Sequence, residues 1–432
     1  NLQINNVPII SSFQRLAELK SKHQNLQVFL AMPNMKTEQR RKVISDLATI
    51  KVAVRTVPSF TQLISDQKKL SDIQELSIDD ILPGARISNA NVIEASSKTF
   101  FISGAGGSIG AEITRQLLSA NPKKVILYEI SEFNLFSIER ECIAIKDSKK
   151  LDTLIIPILG DIKDRNSLNN VFKNFHIDHI YHAAAYKHVP LVEDENNLAI
   201  AAENNILGTY NLAQVAVHNN ASSFVMISTD KAVRPTNVMG ATKRFAEIII
   251  QSLNAGTDVT RFSMVRFGNV INSSGSVIPL FLDQISKGGP VTVTDKNVMR
   301  YFMTIPEASS LVLQAGEMSY GGEVFILDMG EQIKIYDLAK KLINLSGRNY
   351  LEEEGEDGIQ ILEVGLRPGE KMYEELLISG SEIKTDNPKI FKANESYIKF
   401  DRLQPILQQM EEFIRDNNND RILSILSENV EG

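Results

Sequence analysis

Between residues 98 and 275, short apolar segments alternate with stretches of helical periodicity, and this alternation limits the possible folds more than any other feature of the chain. Six segments recur in this way: KTFFIS, KKVILYEI, TLIIPIL, IDHIYH, ASSFVMI and TRFSMVRF. Near-continuous apolar strands separated by amphipathic helices are typical of a parallel sheet that helices cover on both faces. We therefore predict an α/β fold with a doubly wound parallel sheet.

The segments on either side of this region predict further parts of the molecule. Residues 1–84 combine apolar runs with a helical stretch, which indicates a partial α/β domain, and a polar linker follows at 85–97. After the sheet region of 98–275, the pattern loosens into mixed segments that are typical of a smaller substrate-binding region over 276–432. That region contains an acidic surface loop at 351–358 and closes with an amphipathic helical tail. Because the chain begins abruptly and without an initiator Met, we expect it to be a fragment.

Composition narrows the class of protein. With 43% hydrophobic and 23% charged residues the chain has the balance of a soluble globular protein, and its net charge of -7 provides no basic field for nucleic acid. Cys142 is the only cysteine, which excludes an intrachain disulfide, fits a reducing compartment and predicts a core position. The six histidines show no metal-ligand spacing, so no metal site is predicted. No apolar run approaches the ~20 residues that span a bilayer.

A glycine-rich turn, FISGAGGSIGAEI, follows the first of the six strands and precedes a helix. Its glycines Gly104, Gly107 and Gly110 suit a Rossmann-type dinucleotide site. The first permits the tight turn, the second lets backbone approach a pyrophosphate, and the third lets helix and strand pack closely. Ser108 and Ile109 would begin the helix whose N-terminus faces the phosphates. A glycine-rich turn can also be only a turn, so its context decides between the two.

Three strand ends supply that context. Glu129 ends the second strand, 19 residues after Gly110, where a carboxylate accepts hydrogen bonds from the ribose of NAD and repels the 2′-phosphate of NADP. Asp161, with Ile162 after it, ends the third strand at a place that suits adenine, although Asp after Gly is also common in turns. The fourth strand ends with small side chains that leave room for a cofactor: Ala183, Ala184 and Ala185. Together these features predict NAD as the cofactor.

The segment STDKAVRPTNVMGATKR, residues 228–244, follows the fifth strand and carries the candidate chemistry. Thr229, Asp230 and Lys231 offer a hydroxyl, an acid and a base beside the expected nicotinamide position. Met239 and Lys243 are four residues apart and share one face of a helix. Asp230 and Lys231 could instead form a surface salt bridge or a turn, and Met239 could be an ordinary core residue.

These residues resemble the extended short-chain dehydrogenase/reductase superfamily over roughly residues 98–380. Six motifs narrow the resemblance to the polysaccharide-biosynthesis nucleotide-sugar 4,6-dehydratases: GAGGSIG, HAAAYKHVPLVE, ENNILGT, STDKAVRPTNVMGATKR, RFGNV and GLRPGEK. Met239 stands where related sites carry tyrosine, which resembles the large, membrane-anchored, configuration-retaining UDP-N-acetylglucosamine 4,6-dehydratases. Residues 1–84 resemble the end of the N-terminal nucleotide-binding-like domain of those proteins.

The resemblance also implies where the intact protein works. Membrane helices of that family lie upstream of the region that this chain resembles. We therefore expect a bacterial inner-membrane protein with a cytoplasmic catalytic part, of which this chain is a soluble fragment. We also expect a homo-oligomer, whose size the sequence does not fix.

Enzymes of this kind oxidise C4 of the sugar by hydride transfer to NAD, remove the C5 proton, expel the C6 hydroxyl as water and return the hydride to C6. The resemblance implies that Asp230 is the acid, Lys231 the base and Thr229 the hydrogen-bond partner of the C4 hydroxyl. Lys243 would bind the nicotinamide ribose, and Met239 would only fill space against the sugar. In water, bringing an Asp and a Lys to their neutral forms costs about 9 kcal/mol, so the site must disfavour both charges by burial.

Further residues would bind the substrate, by their positions in the motifs. Lys187 and His188 would line the sugar pocket, while Asn269 and the SSGSVIP turn would hold the diphosphate and uridine. Arginine suits phosphate because its planar fork makes paired, charged hydrogen bonds, although a single Arg is more often a solvated surface charge. The predicted substrate contacts are Lys187, His188, Asn269, Ser276, Val277, Thr292, Arg300, Arg367 and Glu370.

Three other functions stay open at this point. A sensor that binds NAD(H) without turnover would explain the missing tyrosine, but not why Asp230, Lys231 and Lys243 are all present. A nucleotide-sugar 4-epimerase needs only the C4 steps, and epimerases of this superfamily keep the tyrosine and lack the Asp-Lys pair. A configuration-inverting dehydratase would also be expected to have a shorter chain that contains the tyrosine. The sequence therefore favours the retaining dehydratase.

Overall fold

The structure of the protein is a computed structural model that describes residues 95–430 except 272, 274–275, 353–357 and 378–381. Before these it describes 3–4, 7–8, 10, 12–56 except 24, 33–34 and 36, and 74–75. Contacts group the chain into two units. The sheet unit comprises Ala85–Val270, Met303–Gly330 and Pro368–Gly432, and the second unit comprises Asn1–Gly84, Ile271–Phe302 and Glu331–Arg367. Most of the predicted linker at 85–97 and of the acidic loop at 351–358 lies outside the described residues.

The sheet unit is built on nine strands. They are β1 Thr99–Ser103, β2 Lys124–Glu129, β3 Leu154–Leu159, β4 His179–His182, β5 Ser223–Ile227, β6 Arg261–Arg266, β7 Val324–Leu327, β8 Ile383–Lys384 and β9 Ile390–Ala393. The hydrogen-bonded order is β8-β9-β7-β6-β5-β4-β1-β2-β3, and all neighbours are parallel except that β9 runs antiparallel to both β7 and β8. This confirms the predicted doubly wound parallel sheet.

Helices connect the strands. A π-helix, Glu203–Gly208, continues directly into the helix before β5, and a 3-10 turn, Asp230–Ala232, follows β5. The α-helices of this unit are α1 Ser108–Ser119, α2 Glu132–Lys149, α3 Arg165–Asn174, α4 Val189–Val192, α5 Glu195–Ala202, α6 Thr209–His218, α7 Val238–Asn254, α8 Ile305–Glu317, α9 Phe400–Arg415 and α10 Asn419–Asn429.

The strand order places a crevice at the carboxyl ends of β1 and β4. The chain winds from β1 outward through β2 and β3, and then returns to place β4 on the other side of β1. In open parallel sheets, ligands bind in the crevice where this reversal separates the helices. Ser103, the last residue of β1, is paired with His182, the last residue of β4. The residues that follow these two strands therefore line the crevice.

The core explains why the apolar segments are strands. All five residues of β1 are buried, as expected of a strand covered by helices on both faces. Phe101 packs against Phe172 of α3, and Phe224 against Phe262, each with ring centroids 5.3 Å apart. Cys142 of α2 is also fully buried, as predicted. The apolar segments thus form one continuous core beneath the carboxyl edge of the sheet.

The predicted helical tail is a pair of helices, α9 and α10, that packs onto α5, the π-helix and α7. Leu403, Leu407, Met410 and Ile414 of α9 are buried at spacings of four, three and four residues. This is the periodicity with which one helix face is repeated. The tail therefore belongs to the core of the sheet unit.

Among the residues that the structure describes, the second unit contains two three-stranded sheets. In one, Gln27–Leu30 is parallel to Ala53–Thr56, which pairs with Gln74–Glu75, and in the other Gly358–Glu363 lies between Val291–Val293 and Asn349–Leu351. Two further pairs are Gln3–Ile4 with Val7–Pro8 and Met299–Arg300 with Ile333–Lys334. The helices of this unit are Phe13–Lys22, Thr37–Ile50, Val277–Ser286 and Ile335–Leu345.

Helix Ile335–Leu345 joins the early and late segments of the second unit, because it packs on Thr37–Ile50. Within the described part of the chain, none of the helices combines the length and apolar character needed to cross a bilayer.

Candidate active site

The glycine-rich turn closes tightly between β1 and α1. Gly104 has a φ of +66°, and a Cβ there would lie 2.7 Å from the backbone nitrogen of Ala184. A Cβ on Gly110 would lie 2.1 Å from the carbonyl oxygen of Gly104. Gly107, by contrast, is exposed at the N-terminus of α1, where its Cβ would meet only that same oxygen, at 3.3 Å. Two glycines are thus required for packing, while the third leaves the helix N-terminus open to a phosphate.

The other predicted cofactor contacts of β1, β2 and β3 lie around this turn. Ser108 and Ile109 are half-buried in the first turn of α1. The Glu129 carboxylate is 6% exposed and accepts hydrogen bonds from the backbone N–H groups of Gly106, at 2.9 Å, and Ser131, at 3.0 Å. Because each carboxylate oxygen has two lone pairs, both can still accept a ribose hydroxyl. Glu129 is therefore fixed to the turn that it would assist.

Asp161 and Ile162 follow β3. The Asp161 carboxylate accepts a hydrogen bond from the Lys163 N–H at 2.9 Å, and its backbone carbonyl accepts one from the Tyr128 hydroxyl at 2.9 Å. Ile162 is 3% exposed and belongs to the sheet core. The two residues lie in one turn at the carboxyl edge of the sheet, and their contact with adenine stays a prediction.

The residues Ala183, Ala184 and Ala185 follow β4 and are half-buried. They come directly after His182, which takes part in a series of buried hydrogen bonds. His182 Nδ1 lies 2.7 Å from the Ser103 hydroxyl, and its Nε2 lies 2.8 Å from the Thr209 hydroxyl. The Thr209 hydroxyl donates to the Asn205 carbonyl at 2.7 Å, so it accepts from Nε2, and Nδ1 accepts from Ser103. Burial, and then the charge of Lys243, lower the pKa of His182 to about 3. A neutral histidine therefore fixes the two strand ends that flank the crevice.

The Thr229–Lys231 segment lies at the carboxyl end of β5. Thr229 caps the 3-10 turn, and its hydroxyl donates to Asp230 Oδ1 at 2.9 Å. Lys231 Nζ lies 3.0 Å from the same oxygen. Asp230 is fully buried, whereas the Lys231 side chain is 20% exposed. The pair is thus not a surface salt bridge, and its lysine is the more exposed of the two members.

A second carboxylate lies against the same lysine. Glu374 Oε1 is 3.3 Å from Lys231 Nζ, and the Glu374 side chain is 4% exposed. Asn269, predicted as a substrate contact, places its Oδ1 3.4 Å from Nζ. We refer to Asp230, Lys231 and Glu374 as the Lys231 cluster. Asp230 Oδ2 is buried and makes no hydrogen bond to the described residues, so this cluster has acceptor capacity left over.

Lys243 and Met239 both lie on the buried face of α7. Lys243 Nζ donates to the carbonyl oxygen of Ile227, the last residue of β5, at 2.7 Å. Burial lowers the pKa of Lys243 to about 8, although the charge of Glu247 opposes the shift. Met239 is 2% exposed and packs with Val192, as a core methionine does. Lys243 is therefore brought to the strand that carries Thr229, whereas the contact between Met239 and sugar stays a prediction.

Lys187 and His188 lie in the segment between β4 and α4. Asn205 of the π-helix holds this segment, because its Oδ1 accepts from the Tyr186 N–H at 2.8 Å and its Nδ2 donates to the Tyr186 carbonyl at 2.9 Å. Glu370, from the GLRPGEK motif, is half-buried in the sheet unit. Asn205 itself was not predicted as a site residue, although its motif was.

The remaining predicted substrate contacts belong to the second unit. Ser276 precedes the helix Val277–Ser286, and Thr292 exchanges two hydrogen bonds with Gln284 of that helix. The Arg300 side chain is 8% exposed and donates to the Met299 carbonyl at 2.8 Å. The roles of Ser276, Val277, Thr292, Arg300 and Arg367 stay predictions.

A larger group of buried charges is formed by residues at the end of β6, on α7 and just after β9. Arg266 donates to both carboxylate oxygens of Glu247 and to both of Glu395. Arg244 lies 3.1 Å from Glu247 and 3.0 Å from Glu395, and the Ser228 hydroxyl donates to Glu247 at 2.6 Å. Each of the four charged side chains is at most 3% exposed. We refer to these four as the Arg266 cluster, and its bond to Ser228 fixes the residue before Thr229.

Sequence reasoning missed Glu374 and the Arg266 cluster. Glu374 has an identical neighbour, Glu375, whose side chain is 44% exposed and pairs with Arg234 at 3.2 Å. No local pattern separates the two glutamates. The available signal for Arg266 was a charged residue at the end of an apolar strand, which needs a partner when it is buried.

The sheet order, the glycine-rich turn and the polar residues at the strand ends define a dinucleotide-binding α/β protein. Residues 100–395 match the family described as polysaccharide biosynthesis protein, and the chain belongs to this family, which is of the extended short-chain dehydrogenase/reductase type. This confirms the coarser part of the resemblance.

Three curated relatives illustrate the range of the family. The capsular polysaccharide biosynthesis protein CapD of Staphylococcus aureus is 44% identical over 89% of this chain, which spans 63% of that relative. An inverting UDP-N-acetylglucosamine 4,6-dehydratase of Campylobacter jejuni is 32% identical over 71% of this chain and 85% of its own length. A UDP-glucose 4-epimerase of Rickettsia bellii is 33% identical over 67% of this chain and 80% of its own length.

Two solved structures support the fold. Pen from Bacillus thuringiensis is 33% identical and superposes with a TM-score of 0.61, covering 73% of this chain and 99% of its own. DesIV of Streptomyces venezuelae, a dTDP-glucose 4,6-dehydratase with NAD bound, is 22% identical and has a TM-score of 0.50 over 64% of this chain and 88% of its own. The second likeness shows the shared fold alone.

Proposed function

We propose that this chain is the catalytic part of an NAD-dependent, configuration-retaining UDP-N-acetylglucosamine 4,6-dehydratase. The products would be UDP-2-acetamido-2,6-dideoxy-4-keto-hexose and water. The observation that carries the proposal is the buried Asp230–Lys231 pair, with 3.0 Å between Oδ1 and Nζ, at the carboxyl end of the strand beside β4. A 4-epimerase needs no such pair, because it neither removes the C5 proton nor expels water.

NAD would be held by the turn of Gly104, Gly107 and Gly110, by Glu129 at the adenosine ribose and by Lys243 at the nicotinamide ribose. The exposed backbone at Gly107 and the free lone pairs of Glu129 fit these roles. When bound, NAD supplies the acceptor for the C4 hydride and, later in the same cycle, the donor of that hydride to C6. No oxidant or reductant is consumed overall.

The chain's own residues would move the protons. Lys231 Nζ takes the C5 proton, and Asp230 gives a proton to the departing C6 hydroxyl, which leaves as water. The Thr229 oxygen, which already accepts from the Lys231 N–H at 3.3 Å, keeps a lone pair for the C4 hydroxyl. The proton of that hydroxyl would pass through Thr229 to Asp230, to which the Thr229 hydroxyl donates at 2.9 Å. After the elimination, Lys231 is an ammonium at hydrogen-bond distance from the Asp230 carboxylate, and it would return a proton to C5 as the hydride adds to C6.

The finer assignments belong to the same proposal. Lys187, His188, Asn269 and Glu370 of the sheet unit would contact the sugar and diphosphate. The contacts proposed for the second unit are Ser276, Val277, Thr292, Arg300 and Arg367. The family resemblance alone supports the further proposal of a homo-oligomeric protein anchored in the bacterial inner membrane, with this part in the cytoplasm.

Incubation with UDP-N-acetylglucosamine in deuterated water tests the reaction. A dehydratase gives a product that has lost one water and carries deuterium at C5, and the proton coupling constants at C5 then distinguish retention from inversion. Conversion without loss of water would instead identify a 4-epimerase, the function of the Rickettsia relative. No conversion in the presence of bound NAD would identify a sensor.

A further inference from the structure

We propose that Glu374 is a positioning residue that holds Lys231 in place for removal of the C5 proton. This inference rests on the proposed function for its reaction step, but the contact itself does not. Glu374 Oε1 lies 3.3 Å from Lys231 Nζ, on a side chain that is 4% exposed. A buried carboxylate at this distance from an ammonium makes a charge-assisted contact, which is stronger than a neutral hydrogen bond.

The backbone around Glu374 is anchored on both sides. Before it, Lys371 Nζ donates to the Val233 carbonyl at 2.9 Å, and the Thr236 hydroxyl donates to the Gly369 carbonyl at 2.8 Å. After it, Leu376 and its neighbour pack against the sheet core. The carboxylate is therefore presented to Lys231 by a fixed segment and not by a freely moving loop.

The order of the proton transfers gives Glu374 a distinct task. Before the C5 proton is removed, Asp230 must be neutral to act as the acid and Lys231 must be neutral to act as the base, so no ion pair holds these two side chains together. Glu374 can then still accept an N–H of the neutral Lys231 amine, which holds the side chain at the strand end and leaves the nitrogen lone pair for the C5 proton. Because a displacement of about 1 Å can cost about 100-fold in rate, loss of this contact should slow the C5 step in particular.

The matched variants are Glu374→Gln and Glu375→Gln. The first removes one buried negative charge with nearly unchanged shape, and the second removes the same charge from a side chain that is 44% exposed. We would follow oxidation at C4 by the absorbance of NADH in a single turnover, and the C5 step by deuterium exchange. Glu374→Gln should slow C5 exchange about tenfold or more and leave C4 oxidation and KM within about threefold. Glu374→Asp, which keeps the charge, should recover part of the loss, and Glu375→Gln should resemble the unaltered protein.

Equal slowing of both steps in Glu374→Gln would mean a merely structural role and would overturn the proposal. Unchanged C5 exchange in a folded variant would do the same. If the unaltered protein dehydrates its substrate in either case, the proposed function stands while the role of Glu374 fails.

A second measurement needs no substrate. Acetic anhydride acylates neutral amines, so loss of the neighbouring negative charge should speed the acetylation of Lys231 several-fold in Glu374→Gln, as read by peptide mass spectrometry. Faster labelling of Lys231 without any dehydration by the unaltered protein would retain the Glu374 contact and reject the proposed function. Equal labelling rates of Lys231 in Glu374→Gln and in the unaltered protein would reject the contact.

Discussion

The Lys231 cluster and the Arg266 cluster are both buried in the sheet unit, but they differ in charge balance. The Arg266 cluster has two cations and two anions, and Arg266 alone donates to four carboxylate oxygens. The Lys231 cluster has one cation for two carboxylates, and one oxygen of Asp230 has no hydrogen-bond partner among the residues that the structure describes. The first is complete by itself, whereas the second leaves room for a proton and a ligand.

This difference distinguishes buried charges that stabilise the fold from buried charges that take part in the proposed reaction. Removal of one partner from a complete cluster leaves an uncompensated charge in the core, so its variants should lose stability. In the Lys231 cluster the charges have to change during the proposed reaction, so its variants should lose rate. Because Ser228, the residue before Thr229, donates a hydrogen bond to Glu247, the complete cluster also supports the incomplete one.

The largest expected effect comes from Asp230→Asn, which keeps the shape of the side chain but cannot donate the acid proton in the same way. We expect kcat for dehydration to fall about 10²–10⁴-fold, as is usual when a general acid is lost. Product formation measured by NMR tests this, with NAD binding and thermal unfolding as controls for folding. A rate within a factor of about three of the unaltered protein would remove Asp230 from the mechanism.

Arg266→Met should break the other cluster and affect stability. It leaves Glu247 and Glu395 with Arg244 as the one remaining cation of the cluster, so the buried charges no longer balance, which should lower the free energy of unfolding by about 3–5 kcal/mol. Urea unfolding measures this loss. The control is Arg415→Met, whose side chain is 72% exposed and makes only an i,i+4 contact with Glu411. The control should change stability by less than about 0.5 kcal/mol, and an equal loss in both variants would contradict the comparison.

Acid should act on the same cluster. Although burial alone would raise the pKa of Glu247, the charges of Arg266 and then Arg244 hold it at about 2. A carboxyl with a lowered pKa in the folded state contributes stability above its unfolded pKa, and this stability is lost as pH falls toward 2. Between pH 4.5 and 2 the loss should reach about 3 kcal/mol for this group. Urea unfolding at a series of pH values should show a shallower decline for Glu247→Gln, and parallel curves would contradict the assignment.

The smallest effect is expected for Met239→Leu, which alters neither cluster. Met239 is 2% exposed in an apolar contact with Val192, and leucine conserves its volume. Stability should change by less than about 1.5 kcal/mol, and a measurable fraction of turnover should remain. Total loss of turnover with NAD binding intact would show that Met239 does more than fill space.

The sequence predicted the parts of this site that are local. Asp230 and Lys231 are adjacent, and Lys243 lies on the helix that follows, so one segment already brings these groups together. The six apolar strands were also confirmed. Five of them are mostly buried, and burial on both faces leaves a direct record in composition, whereas β3 lies at the edge of the sheet and is only partly buried. The parallel sheet and its dinucleotide turn followed from these strands.

Contacts between distant segments could not be predicted in this way. Glu374 reaches Lys231 across more than a hundred residues, and only its packing distinguishes it from Glu375. Arg266 and Glu395 are 129 residues apart in the sequence. They meet because each lies in or next to a strand of the same sheet. The late strands β7 and β9 likewise join the sheet through pairing that no local pattern records. Such contacts depend on strand order, which follows from the whole chain.

The C-terminal helices have a practical consequence for anyone who shortens or fuses this protein. Phe245, Ile248 and Ile249 of α7 are covered by α9 and α10. Lys243 lies on the same helix, just before these residues. A version cut before Phe400 would present these apolar side chains to water and would tend to aggregate. Residues 400–432 should therefore be kept in any expression design, since their helices cover the apolar face of the helix that carries Lys243.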